Sequence, residues 1–174
     1  LVTQRAVGQD TNEIREKAPL TWQYLEKHGA LLDRRASSIY RDRPRFSVFG
    51  VGEYSFSPWK VAISGFYKKL EFKVIGPFQG RPVVLDDTCY FVACASKEEA
   101  ELVSRLLTSD IAKQFFSARV FWDAKRPITV ALLRRLDLLS LAKELGLEDE
   151  LKEHLNRSAP TTSNPDQPPV NLGL

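Results

Sequence analysis

Methionine is missing altogether from these 174 residues, and cysteine and histidine occur only twice each. With Leu1 where a translated product carries Met, the chain is expected to be part of a longer polypeptide. The scarcity of Cys and His removes any zinc-ligand spacing, so no metal is expected. Cys89 and Cys94 fall in one β-like run at a spacing that points them to opposite faces, where they cannot easily bond each other. Two unpaired thiols fit a reducing compartment, and a cytoplasmic location is expected. No apolar run approaches the ~18 residues of a membrane span. The opening stretch LVTQRAVGQDTNEIREK also lacks the apolar segment of a signal peptide.

What is present is a composition 43% apolar and 27% charged, enough for one ordinary core and too little for two comfortable domains. The net charge of +3 is unevenly placed. Residues 34–73 carry a local +6 and residues 119–135 a local +4, while residues 141–153 reverse to −3. Such segregation marks either a face that binds a polyanion or an ordinary solvated surface.

Residues 1–18 are polar and read as a linker. From Pro19, the positions Leu20, Tyr24, His28, Leu31 and Leu32 recur at three and four residues, which predicts an amphipathic helix over 20–38 stopped by Pro44. On that stripe His28 reads as a core histidine. The middle of the chain is β-like: FSVFG, WKVAISGF, EFKVI, PVVL and TCYFVACA are short runs separated by Gly, Pro and Asp. WKVAISGF alternates as a half-buried strand with Lys60 and Ser64 on a free polar face, and TCYFVACA reads as the central strand. After Ser96 the pattern turns helical. Ser96 and Glu99 form a capping box, with Ala100, Val103, Leu106 and Leu107 as the core stripe, and Thr129 is placed to cap a later short helix. Residues 157–174 are rich in Pro, Ser and Thr and are expected to form a flexible tail. The fold class expected is α+β, a mixed and largely antiparallel sheet over 45–94 flanked by helices, with residues 19–156 as the main domain.

Several motifs do not survive inspection. Glu71-Phe-Lys73, Asp123-Ala-Lys125 and Glu150-Leu-Lys152 match half of a metal-dependent nuclease site, but none has a Pro-Asp partner upstream. Gly50-Val-Gly52 leads into a strand rather than a helix, so it reads as a turn and not a phosphate loop. Asp86-Asp87 reads as turn chemistry. No nucleophile motif places Ser with His and an acid, and no catalytic residue is assigned.

Gly52–Lys60 is different. Tyr54, Ser55, Phe56 and Trp59 crowd into a loop just after Arg41, Arg43 and Arg45, and Lys60 follows. Either the aromatics fold onto a small core of their own, or they offer stacking faces beside cationic phosphate contacts. Lys125-Arg126-Pro127 precedes an expected helix start, where it reads either as a phosphate site or as ordinary surface charge.

Three stretches carry a family likeness: residues 47–64 (SVFGVGEYSFSPWKVAIS), 85–91 (LDDTCYF) and 125–129 (KRPIT). Together they resemble the TaqI-like C-terminal specificity domain, and the likeness covers Pro19 to Gly146. That resemblance implies a target-recognition domain following the catalytic domain of an adenine-N6 DNA methyltransferase, or of a fused restriction–modification enzyme. Duplex DNA and that N-terminal catalytic domain would be its partners, with no membrane involved. S-adenosylmethionine would serve the parent enzyme, with no cofactor in this chain. Neither a glycine-rich S-adenosylmethionine motif nor an Asn/Asp/Ser-Pro-Pro-aromatic motif occurs here, so the chain alone is expected to be non-catalytic. Under this reading Arg41, Arg43, Arg45, Lys60, Lys125 and Arg126 hold phosphates. Tyr54, Ser55 and Phe56, with Trp59, reach groove or base edges. The alternatives are a protein-interaction module built on the 52–60 loop and a metal-dependent nuclease.

Overall fold

A computed structural model describes residues 1–158, the side chains of Ile39 and Ser158 excepted. The expected tail therefore falls, beyond Ser158, outside the described residues. The α+β class is observed: eight α-helices accompany a three-stranded antiparallel sheet among the described residues. The chain forms two compact units. The first comprises Leu1–Phe56 with Val84–Asp87, the second Ser57–Val83 with the chain from Thr88 onward.

The first unit holds α1 (Glu13–Lys17), α2 (Pro19–Lys27) and α3 (Gly29–Asp33), followed by a 3-10 turn at Ser38–Tyr40. Pro19 occupies the first position of α2, where its missing N–H costs nothing. The single helix expected over 20–38 breaks at His28 and ends at Asp33. The inward face of α2 also differs from the stripe read from the sequence. Leu20, Tyr24 and Leu31 are exposed, whereas Leu25 and Gly29 are buried and Trp22 sits edge-on to Phe46 at 5.2 Å. Periodicity alone allowed either face, and close approach selected this one. A Cβ on Gly29 would lie 2.7 Å from the Arg45 guanidinium. His28 is half-buried and packs at a tilt against Tyr24, ring centres 4.6 Å apart, rather than sitting in a core.

Residues 1–12 are not a free linker. Thr3, Gln4 and Thr11 are buried. The Thr3 hydroxyl donates to the Phe46 carbonyl at 2.7 Å, while the Gln4 side-chain amide accepts from the Val48 N–H at 2.9 Å and donates to its carbonyl at 3.2 Å. FSVFG is consequently not a strand, because the Gln4 side chain supplies the partners that a neighbouring strand would have given.

In the second unit β1 (Trp59–Ser64) is the central strand, paired antiparallel with β2 (Lys73–Ile75) and β3 (Cys89–Cys94) in the order β2-β1-β3. Val61 lies opposite Val74 on one side and Val92 on the other. The roles expected for β1 and β3 are thus exchanged, and all pairs are antiparallel. PVVL forms no strand.

The sheet packs on α4 (Lys97–Leu107), whose Ala100, Leu102, Val103, Leu106 and Leu107 are all buried. Ser96 accepts from the Glu99 N–H at 3.1 Å, and the Glu99 carboxylate reaches back to the Ala95 N–H at 2.6 Å, so the cap closes one residue earlier than a standard box. Then follow α5 (Asp110–Ser117), α6 (Val130–Leu133), α7 (Leu138–Glu144) and α8 (Glu148–Ser158). Ser109, Thr129 and Asp137 cap α5, α6 and α7 through their side-chain oxygens. Leu106, Phe116, Ile128 and Ala142 join these helices to β1 in one apolar core.

Cys89 and Cys94 are both free thiols. Burial pushes the Cys94 thiol up to about 12 from its ordinary value of 9.0, with the Glu99 charge adding to the shift. Above pH ~9 the unfolded chain sheds a proton that the folded chain keeps, so stability falls as pH rises through this window. Relative to Cys94→Ala, the wild type is expected to lose up to about 1.4 kcal/mol per pH unit above pH ~9 in urea unfolding. Equal pH slopes for the two proteins would contradict this assignment.

Candidate functional site

In the first unit the arginines divide sharply by role. Arg35 donates to three carbonyls, those of Leu32 (2.8 Å), Ser47 (2.6 Å) and Arg45 (2.8 Å), and its guanidinium lies 3.8 Å from the Tyr40 ring centre. It ties the loop after α3 together. Arg45 forms a two-pronged pair with Asp33, at 3.1 Å and 2.8 Å, and lies over Phe46. The Arg45 hydrogen bond holds the Asp33 carboxyl below its ordinary value. Arg45 is therefore already engaged, against the expectation of a free phosphate contact. Arg41 and Arg43 are exposed and, among the described residues, have no ion-pair partner.

The Gly52–Lys60 loop largely folds onto itself. Glu53–Phe56 is a 3-10 turn. Ser55 is buried, and its hydroxyl accepts from the Gly52 N–H at 3.2 Å. Tyr54 remains 38% exposed; its ring lies against Gly52, where a Cβ would stand 2.7 Å from it, and its hydroxyl donates to the Gly50 carbonyl at 2.8 Å. Phe56 is half-buried beneath the Arg5 guanidinium at 4.8 Å.

In the second unit Trp59 packs on Gly76, whose absent Cβ would be 2.6 Å from the indole. Lys60 is 1% exposed and donates to the Ser57 carbonyl at 2.6 Å. Ser55 and Lys60, expected at a base edge and at a phosphate, thus both lie inside the fold. The Lys60 ammonium turns back over the sheet, 5.7 Å from the Phe91 ring centre.

A different surface emerges in the second unit. The β1–β2 connection Gly65-Phe-Tyr-Lys-Lys69 exposes Phe66, Tyr67, Lys68 and Lys69. The Arg126 guanidinium lies over Phe66 at 4.4 Å, a cation–π contact. Lys125 is exposed, with no ion-pair partner among the described residues. Gly65 makes this juxtaposition possible. Its N–H donates to the Thr88 carbonyl at 2.8 Å, and a Cβ there would stand 2.9 Å from Tyr90 and 3.4 Å from the Ile128 carbonyl. Buried Pro127 and Ile128 anchor the other side.

The sequence reading singled out Lys125 and Arg126 but not Phe66 and Tyr67, which lie beside them. The available signal was two aromatics followed by two lysines after a glycine between strands. A phosphate seat at the following helix is not observed: α6 has only four residues, and Thr129 already accepts from the Leu132 N–H at 3.2 Å.

The acid-x-Lys triplets are ordinary ion pairs where they pair at all. Glu71 holds Lys73 at 2.6 Å, Glu150 faces Arg105 at 3.6 Å and Lys152 pairs with Glu148 at 2.5 Å. Among the described residues no three His, Cys, Asp or Glu side chains come together as a metal site, and no helix is long and apolar enough to cross a membrane.

The sequence is related to a region of a type II methyltransferase. The relative is M.NspV of Nostoc sp., 56% identical over 143 residues that take in 82% of this chain and 30% of that protein. The chain thus spans less than a third of the length of the curated relative it matches. No family model matches the chain, and no solved structure does.

Burial depresses the ionisation of Lys60 below its ordinary value. An ammonium without a carboxylate partner is a costly interior group. Lys60→Met is expected to leave stability unchanged or raise it by about 1 kcal/mol in urea unfolding. A clearly lowered stability would contradict this account.

Proposed function

We propose that this chain is the duplex-DNA recognition part of a larger S-adenosylmethionine-dependent adenine-N6 DNA methyltransferase of a restriction–modification system, and that it is not itself catalytic. The observation that carries the reading is the basic and aromatic surface of Phe66, Tyr67, Lys68, Lys69, Lys125 and Arg126, in a chain related to part of a type II methyltransferase. The four cations in and next to the Arg126–Phe66 contact along the chain suit a phosphate backbone, while Phe66 and Tyr67 offer flat apolar faces to sugars or base edges. Arg41, Arg43 and Tyr54 of the first unit supply further contacts of the same chemistry.

S-adenosylmethionine and the methyl transfer belong, in this reading, to the remaining length of the parent protein. Gly50-Val-Gly52 does not supply a seat for the cofactor, because it runs into a 3-10 turn and then β1 instead of a helix. The catalytic portion would be covalently continuous with this chain and would receive the target adenine once the duplex is held.

One observation favours a second reading, a protein-interaction module: Leu20, Tyr24 and Leu31 are exposed apolar side chains of α2 and α3. Substitution separates the two readings. Lys125→Glu with Arg126→Glu should abolish DNA binding and spare a protein contact, whereas Leu20→Asp with Tyr24→Ala should do the reverse.

The six cations Arg41, Arg43, Lys68, Lys69, Lys125 and Arg126 set a salt dependence. Duplex affinity measured by fluorescence anisotropy should fall by up to ~10³-fold between roughly 50 and 200 mM salt. Affinity that ignores salt, or that survives the double charge reversal, would overturn the proposal.

A further inference from the structure

The first unit contains a cleft of about 280 Å³ that the phosphate contacts do not explain. Its lining includes Tyr40, Phe49 and Tyr54, the cation Arg43, the Gln4 amide and Ser47. The volume lies below the roughly 300–1,000 Å³ of sites for drug-sized ligands, which restricts an occupant to about one heterocycle with a small appendage.

The aromatic walls are held in place before any ligand arrives. Arg35 covers Tyr40, and Tyr54 is fixed by its hydrogen bond to the Gly50 carbonyl and by its seat on Gly52. Phe49 is 45% exposed.

Ser47 is the second, independent pointer. The residue is 2% exposed, and its backbone is fully used: the N–H donates to the Pro44 carbonyl at 3.0 Å, and the carbonyl accepts from Arg35 at 2.6 Å. Among the described residues its hydroxyl has no partner. Buried hydroxyls in folded proteins are almost always paired, so this exception calls for an explanation, and Ser47 is part of the cleft lining.

We propose that this cleft is a nucleobase site. The base lies against Phe49 and Tyr54 with its edge hydrogen-bonded to the Ser47 hydroxyl, and its 5′-phosphate pairs with Arg43. A flat ring with polar edges and an attached anion uses all three features together. The base can come from an unpaired nucleotide of a DNA strand or from a free nucleotide. The inference goes beyond the duplex-binding surface of the second unit, and of the contacts proposed for duplex DNA it takes up only Arg43 and Tyr54.

The experiment is a titration of the isotopically labelled chain followed by amide chemical shifts. Thymidine and adenosine 5′-monophosphates, deoxyribose 5′-phosphate, a fully paired duplex and the same duplex with one bulged base are added separately. Saturable shifts at Ser47, Phe49 and Tyr54 are expected with the nucleotides and not with deoxyribose phosphate. Phe49→Ala should weaken nucleotide binding about tenfold or more. Ser47→Ala should weaken it by about threefold to tenfold, while leaving the melting temperature unchanged or raised and paired-duplex affinity unaltered.

Stronger shifts at the same residues with the bulged than with the paired duplex assign the base to DNA, and a response to free nucleotides alone assigns a soluble nucleotide. Equal shifts with deoxyribose phosphate would reduce the cleft to an anion site and overturn the proposal, as would no saturation with any nucleotide. A Ser47→Ala protein that melts at lower temperature would show that the hydroxyl is a structural bond and would also overturn it. Loss of duplex binding by Lys125→Glu, by contrast, bears only on the second-unit surface.

Discussion

Backbone N–H and C=O groups that leave water must find partners, and the two units of this protein meet that requirement by different means. In the second unit the β1 ladder does it, with both edges of the strand paired and α4 laid on the sheet. In the first unit, which has no strand ladder among the described residues, side chains take over. Arg35 collects three carbonyls, Gln4 clasps both polar groups of Val48, and Thr3 and Tyr54 each take one more carbonyl. Loss of the Arg35 guanidinium would leave several acceptors without partners at once, which places it among the most consequential side chains of that unit.

This division of labour changes what the charge means. A linear count gives residues 34–73 a strong positive balance, but much of it is consumed inside the fold. Arg35 binds carbonyls, Arg45 is held by Asp33, Lys73 by Glu71, and Lys60 is buried against the Ser57 carbonyl. Arg41, Arg43, Lys68 and Lys69 remain at the surface. The exposed basic surface is thus smaller than the composition suggested, and in the second unit it includes a cation–aromatic contact, with Arg126 resting on Phe66.

The legible parts of the sequence were those governed by local chemistry. Pro19 starts α2, Ser96 and Thr129 cap their helices, the α4 stripe is buried where its spacing placed it, and the α+β class follows from the run of β-like segments before the helical ones. The misread parts were decided by contacts far apart in the chain. Which face of α2 turns inward depends on Arg45 and Phe46 approaching Gly29. FSVFG reads as a strand until Gln4, more than forty residues upstream, occupies its hydrogen-bonding groups. WKVAISGF alternates like a half-buried strand with a free polar face, yet Lys60 on that face is buried. At the candidate site, Lys125 and Arg126 were found from their own charge. Phe66 and Tyr67 were not, because their value comes from Gly65 drawing the hairpin loop against Thr88 and Ile128.

The central claim is that duplex DNA lies on the Phe66–Lys69 loop and Lys125–Arg126. Lysine footprinting by acetylation and mass spectrometry tests it most directly, since Lys97 and Lys113 are exposed lysines on other elements and serve as internal controls. The account predicts that duplex DNA at low salt protects Lys68, Lys69 and Lys125 from acetylation while Lys97 and Lys113 stay reactive. Protection that is absent, or equal at all five lysines, would contradict it.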